Sequence, residues 1–186
     1  MATGRPDTVT IERAFSEEDL GRIEALCEGL ALEHLVEGPV EGVDHNRRDV
    51  HVGLIAHTDE TAWLFMRLMP LLQRANAQLR VELWGIAEQA HYRVYEAGRD
   101  CWHRDSTLPR DDVPHLARKL TFELMLSAHD EYQGGERQFL GPPKFTAARG
   151  RGILVVFPSF LLTRVNHVTG GRRRSIEGWV CGPEFK

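Results

Sequence analysis

The segment Trp102-His103-Arg104-Asp105 is the one best equipped for chemistry. On a strand, residues i and i+2 point to the same face. His103 and Asp105 would therefore present an imidazole and a carboxylate side by side, a pair that grips a divalent cation. Two histidines and one carboxylate with open positions suit non-haem iron(II). As a bare pattern the signal is weak. With 9 histidines among 186 residues, chance supplies a His-x-Asp match in about one of every two such chains. A second candidate is Arg173, within Arg172-Arg173-Arg174, whose guanidinium could clamp a carboxylate bidentately.

The elements that must position these residues divide the chain in two. Ser16-Glu17-Glu18-Asp19 reads as an N-cap and an acidic first turn. Leu20, Ile23, Leu26 and Leu30 follow at helical spacing. A second helix is expected from about Thr58-Asp59, carrying Trp63, Leu64, Leu68, Leu71, Leu72 and Ala75, with Pro70 as a kink or break. Between them, about 36 to 57 should be an extended loop, with a strand at His51 to Ile55. From residue 79 the period becomes two. Strands are expected over Leu79–Trp84, Ala90–Tyr95, Lys119–Leu126, Ile153–Phe157, Leu161–Val168 and Arg173–Val180. Gly134-Gly135 marks a turn, and Thr169-Gly170-Gly171 a hairpin. Some seven strands after two helices predict an α+β protein whose sheet part is a sandwich or barrel.

Composition excludes several classes. A net charge of −4 gives no global attraction to nucleic acid or anionic lipid. No apolar run approaches the roughly 18 residues of a membrane span, and MATGRPDTVT has no apolar signal core. The three cysteines are odd in number and form no CxxC pair, which predicts a reducing cytoplasm rather than a disulfide framework.

The His-x-Asp pair stands in a specific context. Upstream lies Gln89-Ala90-His91-Tyr92-Arg93-Val94-Tyr95-Glu96-Ala97-Gly98. Downstream come Arg118-Lys119-Leu120-Thr121, Tyr132-Gln133-Gly134-Gly135-Glu136 and Phe157-Pro158-Ser159-Phe160-Leu161-Leu162. Val165, Val168-Thr169, Gly171, Arg173, Ser175 and Trp179 complete the set. In order and spacing these resemble the prolyl-4-hydroxylase-like branch of the iron(II)/2-oxoglutarate oxygenases, of bacterial and phage type, over about residues 79 to 183. The resemblance implies one oxygenase domain over 1–186, with helical support and a covering loop over about 1–78. The core would be a double-stranded β-helix, a jelly-roll or cupin-like barrel buttressed by the N-terminal helices. It implies Fe(II), 2-oxoglutarate and O2 as cofactors, with succinate and CO2 as co-products. The substrate class would be an amino acid, an amino-acid derivative or a peptidyl residue, with neither nucleic acid nor membrane as partner. His103 and Asp105 match the first two metal ligands. Arg173 matches the clamp for the distal carboxylate of 2-oxoglutarate, Ser175 would add a hydrogen bond beside it, and Tyr92 and Tyr95, core aromatics by default, are candidates to line the cosubstrate pocket.

At the family's third ligand, a histidine, this chain has Thr163, and His167 follows four residues on. On a regular strand the two would be about 13 Å apart. Four readings stand open: a bulge brings His167 to the metal; two protein ligands are completed by water or chloride; the chain keeps a pocket but is catalytically silent; or Thr163 replaces a native histidine. Alternation also puts Glu123 beside Thr121 and Met125, and Glu177 beside Arg173, Ser175 and Trp179, each set on one face, and the resemblance implies that these faces look into the barrel. A buried carboxylate needs a partner, so Glu123 and Glu177 would pair with Arg173, ligate an altered metal site or hold a cationic substrate. Arg118, just ahead of a barrel strand, is a further candidate for a substrate or secondary site.

Overall fold

The structure, a computed structural model, describes residues 8–37, 48–96, 116–141 and 144–184. The expected metal ligands His103 and Asp105 lie outside the described residues.

Strand β1 (Val9–Ile11) leads into α1 (Glu17–Glu28). Ser16 caps the helix by accepting the Asp19 N–H at 3.1 Å, and Glu17, Glu18 and Asp19 complement the positive end of the dipole. Leu20, Ile23 and Cys27 form its buried stripe. β2 (Glu33–Glu37) and β3 (Arg48–Ile55) follow. The strand expected at His51 to Ile55 forms within β3, which begins earlier at Arg48 and pairs with β2, with His34 opposite His51.

Helix α2 (Ala62–Leu79) runs through Pro70 without a break. Pro70 and Met66, whose carbonyl loses its usual N–H partner, both face solvent. Water can serve that carbonyl, while Leu64, Phe65, Leu68, Leu72, Ala75 and Leu79 hold the buried side together across the proline. The helix ends at Arg80 in the left-handed conformation, where the Arg80 N–H bonds the Asn76 carbonyl at 2.7 Å. Leu79–Trp84 is therefore a helix end and an irregular link rather than a strand.

The remaining strands are β4 (Ala90–Tyr95), β5 (Ala117–Met125), β6 (Tyr132–Gly134), β7 (Arg137–Phe139), β8 (Phe145–Thr146), β9 (Leu154–Pro158), β10 (Thr163–Val165), β11 (Val168–Gly171) and β12 (Arg173–Gly182). Seven strands form an antiparallel sheet in the order β1-β9-β5-β12-β4-β3-β2. Shorter strands pair as β10-β7-β8 and as β11-β6. The expected hairpin at Thr169-Gly170-Gly171 does not form. Those residues belong to β11, which pairs with β6, while β12 pairs with β4 and β5. The architecture is mostly antiparallel sheet with two helices.

Alternation divides the large sheet. On one face Leu120, Phe122, Leu124, Ile176, Val180, Tyr92 and Val94 join Leu20, Ile23, Leu64, Leu68 and Leu72 of the helices in one core. Each such side chain contributes about 1.5–3 kcal/mol. Gly178 lets the Phe122 ring lie flat, since a Cβ there would stand 2.5 Å from Cζ. The other face carries Thr121, Glu123, Met125, Arg173, Ser175, Glu177 and Trp179. Against it pack the short strands, through Tyr132, Val165 and Val168 near Tyr95 and Met125, and through Phe139 edge-on to Phe157 at 4.9 Å.

Candidate active site

The space between the large sheet and the short strands holds a cluster of buried charges. Arg93, Arg137, Arg173, Glu123 and Glu177 are all within 6% of full burial. Arg137 reaches in from β7. Its Nε donates to Glu123 Oε2 at 2.7 Å and its Nη2 to Glu123 Oε1 at 3.3 Å. The same Nη2 donates to Glu177 Oε2, and Nη1 donates to Thr163 Oγ1 at 3.3 Å. Arg93 Nη2 lies 2.6 Å from Glu177 Oε1, a close ion pair whose angle is poor for a hydrogen bond. Arg173 Nη2 donates to Glu123 Oε1 at 2.8 Å, and its Nη1 to Ser175 Oγ at 3.2 Å. Ser175 Oγ in turn donates to Glu123 Oε1 at 2.9 Å. Unpaired, such burial would be prohibitive.

Burial pushes the Glu123 carboxyl up, but the charges of Arg137 and Arg173 outweigh it and hold the group well below its usual range. Burial likewise lowers Arg137, and Glu123 and Glu177 more than restore it, leaving it raised. Among the described residues the cluster holds three guanidinium groups and two carboxylates, one positive charge in excess.

Among the described residues, Arg173 Nε and the Tyr132 hydroxyl make no well-formed hydrogen bond, and the hydroxyl lies close enough to the guanidinium to feel it directly. They are neighbours. A Cβ on Gly135 would meet Arg173 Cδ at 3.0 Å and Tyr132 Cε2 at 3.2 Å, so the glycine, at φ +67°, leaves room for both side chains. Tyr95 lies on the same side, with the Arg173 guanidinium 5.5 Å from its ring centre. An N–H and an O–H that make no well-formed hydrogen bond among the described residues, with a surplus positive charge, fit a carboxylate.

The sequence-derived candidates thus sort as follows. Arg173, Ser175, Tyr95, Glu123 and Glu177 come together. Tyr92 does not: its ring belongs to the helix-side core, because β4 alternation turns it away from Tyr95. The Ser175 hydroxyl is already committed to Glu123. His167 is exposed, and no bulge brings it inward. The β10–β7 register is regular through Val165, and the irregularity falls later, between Val168 and Gly170. Thr163 is the residue buried at that end of the cluster. Glu123 and Glu177 hold arginines rather than a metal, and among the described residues no group of three histidine, cysteine or acidic side chains could ligate one.

Arg118 stands apart. Its guanidinium donates to both Glu88 carboxylate oxygens, at 2.7 and 2.5 Å, and lies 3.7 Å from the Trp179 ring centre. His91 meets the same indole edge-on at 4.9 Å. A cavity of about 430 Å³ shares His91 and Glu88 with this stack and is otherwise lined by Leu54, Ala87 and Gln89.

Sequence reasoning missed Arg137, Arg93 and Tyr132. Arg137 sits on a three-residue strand, too short for alternation to register. Arg93 is two residues from Tyr95 on β4, so alternation could have placed both on one face. Tyr132 belongs to the Tyr132-Gln133-Gly134-Gly135-Glu136 motif but was read only for its glycines.

No protein-family model matches the chain. A PKHD-type hydroxylase of Synechococcus sp. is 34% identical over 88 residues, 46% of this chain and 39% of the relative. A PKHD-type hydroxylase of Maricaulis maris is 29% identical over 161 residues, 76% of this chain and 73% of the relative. In sequence the chain is similar to the PKHD-type hydroxylases over part of its length. Its match spans about two fifths of the length of the Synechococcus protein. Among solved structures, a 2OG-Fe(II) oxygenase family oxidoreductase from Burkholderia pseudomallei aligns at TM-score 0.72 and 18% identity, over 95% of this chain and 85% of that one. A Pseudomonas putida prolyl-4-hydroxylase aligns at 0.67 and 17%, over 97% and 94%. The fold is that of the prolyl-4-hydroxylase-like 2OG-Fe(II) oxygenases.

Proposed function

We propose that the chain is an iron(II)- and 2-oxoglutarate-dependent oxygenase that hydroxylates an amino acid, an amino-acid derivative or a peptidyl residue. The large sheet and the short strands are the two halves of a double-stranded β-helix, and the reactive centre lies between them. The observation that carries this reading is the seat at Arg173: its Nε and the neighbouring Tyr132 hydroxyl make no well-formed hydrogen bond among the described residues, which there hold one more guanidinium than carboxylate. That seat suits the distal carboxylate of 2-oxoglutarate. Burial strengthens such a charge-assisted bond.

His103 and Asp105 would hold the metal. Bound iron with 2-oxoglutarate supplies oxygen activation. This chain's own residues bind and orient. Arg173 and Tyr132 hold the cosubstrate's far end, with Tyr95 beside the guanidinium. The aliphatic and aromatic walls of Val165, Val168 and Phe157 exclude water. Arg118, stacked on Trp179 beside the cavity at His91 and Glu88, would shape the substrate's entry. Two buried free thiols, Cys27 and Cys181, agree with a cytoplasmic setting.

A second reading has its own support. Thr163 offers no ligand, since its hydroxyl accepts from Arg137, and Glu123 already holds Arg173. These contacts favour a catalytically silent barrel that binds a small carboxylate. Iron-dependent conversion of 2-oxoglutarate to succinate separates the two. The oxygenase reading expects turnover in the parent chain and none in His103→Ala. Stoichiometric 2-oxoglutarate binding with no succinate in either protein, across a panel of amino acids and proline peptides, would favour the silent barrel.

A further inference from the structure

The two ends of the cluster are joined by an unbroken run of side chains. Thr163 accepts from Arg137, Arg137 donates to Glu123, and Glu123 accepts from Arg173. Each of the four is at most 3% exposed. The run crosses the interior from the β10 strand to the first residue of β12.

The terms of this contact decide what Arg173 can still do. Glu123 Oε1 accepts from Arg173 Nη2 and from Ser175 Oγ, while Ser175 Oγ accepts from Arg173 Nη1. This closed ring of three groups engages the outer fork of the guanidinium, Nη1 with Nη2. Nη2 also forms one leg of the only other fork, with Nε, and its further contact there is the Met125 sulfur at 3.5 Å. A ligand carboxylate arriving at Nε and the Tyr132 hydroxyl must therefore share Arg173 with a carboxylate already in place. Two carboxylates on one buried guanidinium repel each other at close range in a medium of reduced dielectric.

We propose that Glu123 is an internal stand-in for a ligand carboxylate: it occupies the Ser175 side of the Arg173 clamp and thereby sets how tightly the chain takes a dicarboxylate. Arg137, held between Glu123, Glu177 and Thr163, keeps Glu123 in that position. The inference rests on the cosubstrate seat assigned above, and it adds a determinant of affinity that the chain carries within itself. Removing the Glu123 carboxylate opens a hole of carboxylate size against Arg173, Ser175 and Arg137. A dissolved carboxylate then has two ways onto the clamp instead of one.

The test is chemical rescue in the full chain. Glu123→Ala and the isosteric Glu123→Gln are titrated with 2-oxoglutarate, glutarate and acetate, followed by calorimetry and by thermal unfolding. The expected result is a 2-oxoglutarate Kd at least tenfold lower in one or both variants than in the parent. The stabilisation by each carboxylate, acetate included, should be larger in Glu123→Ala than in the parent. Tight binding to the parent with equal or weaker binding to both variants overturns the stand-in and leaves the cosubstrate seat intact. No 2-oxoglutarate binding to any of the three proteins overturns both. Variants that stay unfolded even with the carboxylates present also overturn the stand-in, because rescue is what it requires.

Discussion

Arg137→Leu is the sharpest perturbation of the interior. The guanidinium donates to both oxygens of Glu123, to Glu177 and to Thr163. Removing it leaves Glu123 with Arg173 and Glu177 with Arg93, so the cluster becomes formally neutral while two buried carboxylates lose half their partners. Taking one member from a buried ion pair costs about 3–5 kcal/mol. The leucine restores some apolar contact with Phe157, so the lower end is expected. For a chain of this size each kcal/mol shifts Tm by about 2–4 °C, giving a fall of about 6–12 °C at neutral pH. The pH dependence carries a second signature. Glu123 has a folded-state value held below its ordinary 4.5, against the burial that would raise it, by Arg137 and then Arg173. A depressed carboxyl contributes stability that is present above 4.5 and is lost as pH falls toward the folded value. The parent should therefore lose stability steeply below pH 4.5. The variant lacks the stronger of the two opposing charges and should show a shallower acid limb. Thermal unfolding followed by circular dichroism at intervals from pH 3 to 7 reads both effects. A variant within about 1 kcal/mol of the parent, a difference typical of a harmless surface change, or with the same acid limb, would refute the assignment of Arg137 as the centre of the network.

Three further outcomes follow from the same geometry. Thr163→His alone should not raise iron affinity, because Arg137 stands at that side chain; Thr163→His with Arg137→Leu should exceed both single variants, as read by calorimetric iron titration. Gly135→Ala forces a side chain into a positive φ and against Arg173 and Tyr132; it should cost about 1–3 kcal/mol in denaturant unfolding and weaken 2-oxoglutarate binding. Arg118→Ala removes the paired bonds to the buried Glu88 carboxylate and the stack on Trp179, so the indole fluorescence should shift and stability should fall by about 1–3 kcal/mol in denaturant unfolding.

Much of this arrangement was legible in the chain because strand alternation is rigid. Period two puts Glu123 with Thr121 and Met125 on one face, and Glu177 with Arg173 and Ser175 on another; the family resemblance turns both faces inward, and the structure gathers these side chains there. Ser16 and the three acids after it marked α1 with equal clarity. Reading failed where local signals were short or overruled. Pro70 did not break α2 because its lost hydrogen bond falls on the wet side. Leu79–Trp84 alternates like a strand, yet Arg80 turns left-handed to end a helix. The short β2, Glu33-His34-Leu35-Val36-Glu37, carries little alternation of its own and is defined by its pairing with β3. Arg137 is the instructive omission: a charged residue on a three-residue strand gives no pattern, yet two buried acids on neighbouring strands announced that cations had to reach them. His167 drew attention as a ligand by its type, but the regular β10–β7 register leaves Thr163, not His167, turned inward.

The account stands most directly on whether Arg173 seats a keto-acid. Calorimetric titration of 2-oxoglutarate into the full chain and into Arg173→Gln tests it, with both proteins first shown to be folded. Saturable one-to-one binding to the parent, weakened at least tenfold by the substitution, is the predicted result. Undiminished binding to Arg173→Gln, or none to the parent, would contradict it.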